Sequence, residues 1–125
     1  MIYRQLNAVI GSDRDVAWGN GRSRRFLLKD DNLGYTVTDT IVFAGTESLL
    51  EYANHLEACY CIEGEGEVQI GAKIYPIVPG CLYALDGREK HFLRAQTDLR
   101  LICVFNPPLR GDEKHQLDGA RASSY

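Results

Sequence analysis

The chain has 125 residues, enough for one compact domain with a hydrophobic core and too few for two ordinary domains. Apolar residues make up 45% of it and charged residues 25%; this composition excludes disorder and, with twelve glycines and seven tyrosines, favours a mainly β protein over a helical bundle. A formal net charge of -3 provides no basic field, so nucleic acid and anionic membrane are excluded as expected partners, and a small-molecule ligand is favoured.

No basic segment followed by an apolar run opens the sequence, and no apolar run approaches the roughly 20 residues that span a bilayer. We therefore expect no membrane partner and a cytoplasmic location. Cys59 and Cys61 lie two apart in a strand-like run, a poor geometry for a disulfide. Because Cys81 and Cys103 lie in other apolar runs, we expect four reduced, buried thiols.

Residues 1 to 22 predict a strand or short helix and then a loop, because the apolar "IYRQLNAVIG" precedes the turn signals "SDRD" and "GNGR". From residue 23 onward, strand-length apolar runs alternate with Gly, Asp and Pro. The runs are "RFLLK", "GYTVTDTIVFAG", "SLLEYANH", "EACYCIEG", "EVQIG", "KIYPI", "CLYALD", "HFLRA" and "LRLICVF". About nine short strands at hairpin spacing predict a sandwich or a barrel.

The alternation of residues within these runs predicts which faces are buried. In "LRLICVF" the odd positions Leu99, Leu101, Cys103 and Phe105 share a face, and Arg100 on the opposite face is charged, so the odd positions are the predicted interior. In "EACYCI" both faces are largely apolar, which indicates a central strand. The prolines of "FNPPLRG" are predicted to end strand structure. A polar tail follows, and we expect it to be frayed at "RASSY".

Glu57 is the residue that first suggests a functional site. It lies between apolar neighbours on a predicted central strand, where an unpaired carboxylate would be unfavourable. From the residues alone two interpretations stay open, because a Glu beside a Gly-rich hairpin is usually solvated and a single His is usually structural. The strand "HLEACYCIEGEGEV" is therefore either an ordinary hairpin or part of a metal site.

Two segments resemble the two motifs of a cupin, a small double-sheet β-barrel with metal at its mouth. The segments are "HLEACYCIEGEGEV" and "IYPIVPGCLYALDGREKHFL". The resemblance implies an all-β, cupin-type double-stranded β-helix, a small jelly-roll barrel with short terminal extensions. The histidine pair of the first motif falls on Leu50 and Tyr52 or their neighbours, so a typical four-ligand site cannot form. Glu57, Tyr83 and His91 remain, an O, O, N set that suits iron(II) better than structural zinc.

The chain more specifically resembles the ectoine synthase family, over most of residues 23 to 119. The matching stretches are "SRRFLLKDD", "NHLEACYCIEGEGEV", "YPIVPGCLYALDGREKH", "TDLRLICVFNPPLRG" and "DEKH". The resemblance implies a hydro-lyase of ectoine biosynthesis that cyclises N-γ-acetyl-L-2,4-diaminobutyrate to ectoine, a compatible solute made under osmotic stress, with loss of water. It also implies a cytoplasmic homodimer, to which "MIYRQL" could add an edge strand.

The family resemblance assigns roles to eleven residues. The metal ligands for Fe(2+) would be Glu57, Tyr83 and His91. These three are expected to be catalytic together with Tyr52 and His55. The substrate-binding residues would be Arg25, Thr40, Cys103, Phe105, Glu113 and His115. Without the family, each of these has an ordinary interpretation: Arg25 as a surface charge, Cys103 and Phe105 as core, and the tail residues as solvated groups.

Several positions depart from the family pattern. An aromatic expected in an "NWTSRR"-like stretch is Gly21, with Trp18 three residues earlier, and a polar Asn or His near position 38 is Thr38. Leu49 and Glu51 stand where histidines are common. The alternatives are therefore a divergent ectoine synthase, a cupin relative acting on another N-acylated amino acid, or one that only binds such a ligand. We expect one cupin domain, residues 1–125, with its core at about 24–108 and the tail 109–125 as a flexible lid.

Overall fold

The computed structural model describes residues 1–115, 117 and 123–124. A short helix, α1 (Leu6–Val9), opens the chain, and a single 3-10 turn spans Lys29–Asp31. The strands are β1 (Asp15–Ala17), β2 (Gly21–Leu27), β3 (Thr36–Val42), β4 (Glu47–Glu51), β5 (Leu56–Glu63), β6 (Gly66–Ile70), β7 (Lys73–Ile77), β8 (Leu82–Ala84), β9 (His91–Ala95), β10 (Leu99–Asn106) and β11 (Ser123–Ser124).

The strands form two sheets, ordered β1-β2-β3-β10-β5-β8 and β11-β4-β9-β6-β7. Neighbouring strands pair antiparallel, except that β11 pairs parallel to β4. Buried apolar side chains from both sheets form one core cluster, which includes Val42, Leu50, Val68, Leu93 and Leu101. Because antiparallel strands bury one face each, two such sheets cover each other and enclose the core.

The nine predicted runs correspond to β2 through β10, so the sandwich-or-barrel prediction is confirmed. The structure adds β1, which begins at Asp15 within the predicted loop. This strand has only three residues and is defined by its pairing with β2, not by an apolar pattern. Of the "RASSY" segment, Ser123 and Ser124 pair with β4, and the other three residues lie outside the described ones.

The predicted interior face of β10 is confirmed, because Leu99, Leu101, Cys103 and Phe105 are all buried. Strand β5 is flanked by β10 and β8, as expected for a strand away from the sheet edge. It is nevertheless one-sided: Glu57, Cys59 and Cys61 are buried, whereas Tyr60 is 44% exposed. The expectation of four buried thiols was wrong for Cys81, which is half-buried at the turn before β8.

Asp31 fastens the N-terminal segment to the barrel. Its carboxylate accepts hydrogen bonds from Arg4 at 2.8 Å and Arg14 at 3.1 Å, and from the amide of Leu28 at 2.9 Å. Burial alone would raise the pKa of Asp31, but these donors lower it to about 2. In the described part of the chain, no helix has the length and apolar character needed to cross a membrane.

Candidate active site

A small cavity of about 20 Å³ lies between the two sheets. Its walls are Trp18, Ser23, Thr40, Val42, Leu50, Tyr52, Glu57, Cys59, Tyr83, Leu93, Leu101, Cys103 and Phe105. Six of the predicted site residues are therefore brought together: Thr40, Tyr52, Glu57, Tyr83, Cys103 and Phe105. A cavity of this size holds an ion or a water molecule, so a larger ligand requires the pocket to widen.

Glu57 is the carboxylate of this cavity. It lies on the inner face of β5, opposite Phe105 of β10, and is 7% exposed. Burial raises the pKa of Glu57 to about 7, although hydrogen bonds from the Cys59 thiol and the Tyr52 hydroxyl partly oppose the shift. Among the described residues, no cationic side chain is a cause of this shift in pKa. Glu57 therefore carries a proton readily near neutral pH unless a positive group joins it.

Tyr52 connects Glu57 to the C-terminal segment. Its hydroxyl donates to Glu57 and lies 3.2 Å from Nε2 of His115. A phenol has one hydrogen to donate, so its oxygen accepts from the Nε2–H of His115. While Glu57 is ionised, the hydrogen bonds therefore run from His115 through Tyr52 to Glu57.

Tyr83 and two thiols form the wall beside Glu57. Tyr83 of β8 pairs with Cys59 of β5, and Cys59 pairs on its other side with Cys103 of β10. The Sγ atoms of Cys59 and Cys103 lie 3.3 Å apart. Burial raises the pKa of Tyr83 and of Cys59 well above their ordinary values, and the two side chains hydrogen-bond each other. Both groups are therefore neutral in the metal-free site.

His91 presents a free lone pair inside the protein. Its Nδ1 lies 2.9 Å from the carbonyl oxygen of Glu89, so Nδ1 donates and Nε2 is unprotonated. Burial lowers the pKa of His91, which favours this neutral form. Nε2 is buried, and among the described residues it has no hydrogen-bond partner. A backbone-oriented imidazole with an unpartnered Nε2 is the usual arrangement of a metal ligand. The His91 ring centroid lies 6.1 Å from that of Tyr52.

The structure contains one further set of potential metal donors. Among the described His, Cys, Asp and Glu residues, Glu57, Cys59 and Cys103 have ligand atoms that all lie within 4.8 Å of one another. His91 is not part of this set. The donors in and beside the cavity, a carboxylate, a phenol, an imidazole and two thiols, suit a transition metal.

The remaining predicted site residues surround the cavity without lining it. His55 and Glu113 line a separate surface groove, and His55 lies against Phe105 with ring centroids 6.1 Å apart. Nδ1 of His55 lies 2.7 Å from the carbonyl oxygen of Pro107. His115 reaches the site through Tyr52, as described above.

Arg25 is fully buried, contrary to the surface charge that its residue type alone suggests. Its guanidinium donates to the Ser23 hydroxyl at 3.1 Å, to the Gly111 carbonyl at 2.9 Å and to the Glu113 carbonyl. The carboxylate of Glu113 lies 3.8 Å away. Arg25 therefore holds the segment 109–115 against the barrel, and does not face the cavity itself.

Trp18 supplies an aromatic wall of the cavity. Its Nε1 donates to the Ile41 carbonyl at 3.1 Å, and its ring packs edge-on against His115 with centroids 5.9 Å apart. A Cβ at Gly21 would lie 2.8 Å from this Nε1, so Trp18 occupies the space beside the glycine. A second departure, Thr38, is fully buried, and its hydroxyl shares a hydrogen bond of 2.7 Å with the Thr40 hydroxyl.

Residue-based reasoning did not assign Cys59 to the site. The sequence does carry a signal for it, because Cys59 and Glu57 are two residues apart and therefore share one face of β5. A cysteine within an apolar strand is, however, usually a core residue. Ser23 was missed for a different reason: its place at the cavity depends on the path of β2 beside β3, which no short pattern encodes.

Comparison with known proteins agrees with the resemblance. A family model described as ectoine synthase matches residues 1–124. An L-ectoine synthase of Desulfatibacillum aliphaticivorans is 52% identical over 124 residues, covering 96% of this chain and 95% of that protein. Another, from Halalkalibacterium halodurans, is 53% identical over 117 residues, covering 92% and 91%.

A solved structure extends the comparison to the fold. The crystal structure of ectoine synthase from P. lautus superposes with a TM-score of 0.86 at 51% identity, covering 89% of this chain and 81% of that one. The all-β, cupin-type fold expected from the two motifs is confirmed. A match of this extent also establishes that the protein is an enzyme, a hydro-lyase, which excludes the pure binding protein considered above. The chain belongs to the ectoine synthase family.

Proposed function

We propose that this chain cyclises N-γ-acetyl-L-2,4-diaminobutyrate to ectoine with loss of water. The observation that carries the proposal is the 52% identity, over 96% of the chain, to a protein named L-ectoine synthase. The enzyme would act in the cytoplasm, in ectoine biosynthesis under osmotic stress.

The reaction defines what the site must provide. The neutral α-amine attacks the acetamide carbonyl, a C–N bond closes the ring, and the carbonyl oxygen leaves as water. The amine nitrogen gives up protons and the departing oxygen gains them, so the site must hold the reactants in ring-closing geometry and move protons.

Glu57, Tyr83 and His91 would hold an iron(II) ion beside the substrate. Two observations on the described part of the chain support this assignment: Nε2 of His91 has no hydrogen-bond partner there, and no cationic side chain there lowers the pKa of the buried Glu57. When bound, the metal supplies a Lewis acid that polarises the acetamide carbonyl. The Glu57 and Tyr83 oxygens and the imidazole nitrogen form a donor set acceptable to iron.

The hydrogen bonds from His115 through Tyr52 to Glu57 provide a proton route. Tyr52 can donate toward the cavity while it is resupplied from Nε2 of His115. We assign Tyr52 as the group that delivers a proton to the departing oxygen. His55, behind Phe105, is kept in position by the Pro107 carbonyl, and a role in receiving the amine proton fits its place at the edge of the site.

The proposed substrate-binding residues fall into two groups, those that line the cavity and those that hold the segment 109–115. Phe105, Cys103 and Thr40 line the cavity and would contact the substrate. Arg25, Glu113 and His115 hold the segment 109–115, which would act as a lid because the cavity must widen to admit a substrate larger than an ion. A closed lid excludes water from a reaction that releases water.

A homodimer is part of the proposal. Ile2 and Tyr3 are 41% and 75% exposed at the N-terminus, although both are apolar enough to pack against another surface. The N-terminal segment would add to the edge of a second copy. Light scattering of the full chain, compared with a variant carrying Ile2→Ser and Tyr3→Ser, measures this: a dimer that becomes monomeric supports the arrangement.

The experiment that tests the activity uses anaerobic protein loaded with iron(II). N-γ-acetyl-L-2,4-diaminobutyrate is added and ring formation is followed by NMR. Ectoine should form with the unaltered protein and with Glu63→Ala, an exposed glutamate on the same strand, but not with Glu57→Ala.

Absence of product from folded, iron-loaded protein would overturn this substrate assignment. It would favour the alternative that remains, a divergent cupin enzyme that acts on another N-acylated amino acid. The altered positions Gly21 and Thr38 would then be adaptations to that substrate. Product without bound iron would overturn the metal assignment alone.

A further inference from the structure

The thiols of Cys59 and Cys103 face each other across adjacent strands at the cavity wall. The two residues are paired in the ladder of β5 and β10, and their Sγ atoms are 3.3 Å apart. Their exposed fractions are 1% and 3%. A carboxylate oxygen of Glu57 lies within 4.8 Å of both sulfurs. Two sulfurs and one oxygen on one sheet face therefore lie close enough together to bind a single ion.

We propose that Cys59, Cys103 and Glu57 form a second metal site, which takes a thiophilic divalent ion such as zinc. Sulfur donors favour zinc and cadmium over iron(II) or magnesium. In tetrahedral zinc, two sulfurs at the usual bond length lie about 3.8 Å apart. The thiols must therefore separate by only about 0.5 Å from their 3.3 Å spacing.

Binding exchanges protons for the ion. Each thiol releases its proton and forms a sulfur–metal bond, and Glu57 contributes a carboxylate oxygen after losing any proton it carries. The two thiolates neutralise the divalent charge. The fourth position faces the cavity, which has room for a water molecule.

This site and the iron set proposed above compete for one residue. Glu57 belongs to both, whereas Cys59 and Cys103 belong only to the thiol site and Tyr83 and His91 only to the iron set. A thiophilic ion would therefore displace iron(II) and block the enzyme. The inference goes beyond the proposed function, and its test does not depend on turnover, because the absorption that is measured comes from the two thiol donors.

Cobalt(II) serves as the spectroscopic probe for zinc. Metal-free, fully reduced protein is titrated with cobalt(II) under argon, and the near-ultraviolet absorption is recorded. A thiolate-to-cobalt charge-transfer band should grow to saturation at a single equivalent and disappear when zinc is added. Cys59→Ser and Cys103→Ser should each abolish the band.

Two control variants separate this site from its alternatives. Cys61→Ser removes a buried thiol from the same face of β5 and should leave the band intact. His91→Ala should also retain it, although that variant loses a ligand of the iron set. Thermal unfolding followed by circular dichroism confirms that each variant is folded.

Three results would overturn the inference: no charge-transfer band in the unaltered protein, a band that survives in folded Cys59→Ser and Cys103→Ser, or a band lost in folded His91→Ala. Failure of the cyclisation assay changes none of these readings, so the two proposals are tested separately.

Discussion

Nε2 of His115 lies 3.2 Å from the hydroxyl of Tyr52. This contact joins the C-terminal segment to the barrel interior, because Tyr52 also hydrogen-bonds Glu57 and packs its ring against Phe105 at 5.4 Å between centroids. The amide of His115 is held as well, donating to the Trp18 carbonyl at 2.9 Å. The carboxylate in the cavity wall is therefore linked by hydrogen bonds to the C-terminal segment.

Tyr52→Phe tests whether this hydroxyl moves a proton. The substitution keeps the aromatic packing and removes the hydroxyl that bridges His115 and Glu57. We expect kcat to fall by about 100-fold, as is typical when a general acid is removed, with little change in the unfolding temperature. Steady-state rates of ectoine formation measure this. Tyr60→Phe, on the exposed face of β5, is the control, and an unchanged kcat in Tyr52→Phe would exclude the role.

The raised pKa of Glu57 predicts a pH-dependent stability for the metal-free protein. The folded-state pKa of about 7 exceeds the ordinary value of 4.5, so the folded protein binds the proton more tightly. The resulting stabilisation is complete below pH 4.5 and is lost as the pH rises through about 7. The shift corresponds to about 3 kcal/mol in the free energy of unfolding.

Urea unfolding across this pH range measures the effect as the difference in the free energy of unfolding between the unaltered protein and Glu57→Gln. The unaltered protein should lose stability toward neutral pH, whereas Glu57→Gln should lose less by about 3 kcal/mol. Glu63→Gln should follow the unaltered protein. Added metal should reverse the loss near pH 7, because a cation at Glu57 favours the ionised carboxylate. Parallel pH profiles for the unaltered protein and Glu57→Gln would refute the raised pKa.

The parts of the fold that the sequence predicted are those with a local pattern. The alternation in β10 predicted that Cys103 and Phe105 lie inside. Side chains alternate between the two faces of a strand, and where one face carries a charge the other face is the one that is buried. The glycine-rich stretch "EGEGE" likewise predicted the turn between β5 and β6. The same logic did not choose a face for β5, because both of its faces are largely apolar, so it predicted a central strand and left the direction of Glu57 open.

Other features depend on distant partners and had no local signal. Arg25 is buried because its guanidinium reaches carbonyl groups at Gly111 and Glu113, 86 and 88 residues away. Strand β1 exists through its pairing with β2. The identities of the metal ligands came from the family resemblance, because the residues alone favoured an ordinary hairpin over a metal site.

Arg25→Met tests the role of the buried guanidinium in holding the segment 109–115. The variant keeps an apolar stem of similar length and removes every hydrogen bond to Ser23, Gly111 and Glu113. Loss of a buried, hydrogen-bonded charge is expected to destabilise this packing by about 3 kcal/mol. Trypsin should then cut faster after the exposed Arg110 and Lys114, as followed by mass spectrometry of the fragments.

Arg24→Lys is the matched control, because Arg24 lies next in sequence but points to Asp15, 3.5 Å away. It should leave the rates of tail cleavage unchanged. If Arg25→Met also leaves them unchanged while the barrel stays folded, the segment is held by other contacts. We further expect KM to rise more than kcat falls in Arg25→Met, because the proposed lid would contribute to substrate binding and not to the chemical step.

Gly21→Ala tests whether Trp18 has taken over the space beside β2. An added Cβ would lie 1.8 Å from the Ile41 carbonyl oxygen and 2.8 Å from Nε1 of Trp18, so both the β2–β3 ladder and the indole must move. We expect destabilisation of about 2 kcal/mol or more, as for other overpacked interiors. Because Trp18 is the chain's one tryptophan, its fluorescence reports the displacement directly.

Gly87→Ala is the control, since a Cβ there meets only the flexible end of Glu89 at 3.1 Å. Its emission spectrum and urea midpoint should match those of the unaltered protein. Gly21→Ala should shift the emission to longer wavelength, because an indole held at 4% exposure and bonded to Ile41 can only become more solvated when it is pushed outward. An unshifted spectrum together with an unchanged midpoint would mean that the backbone yields without moving Trp18, and that Gly21 is no constraint on the cavity wall.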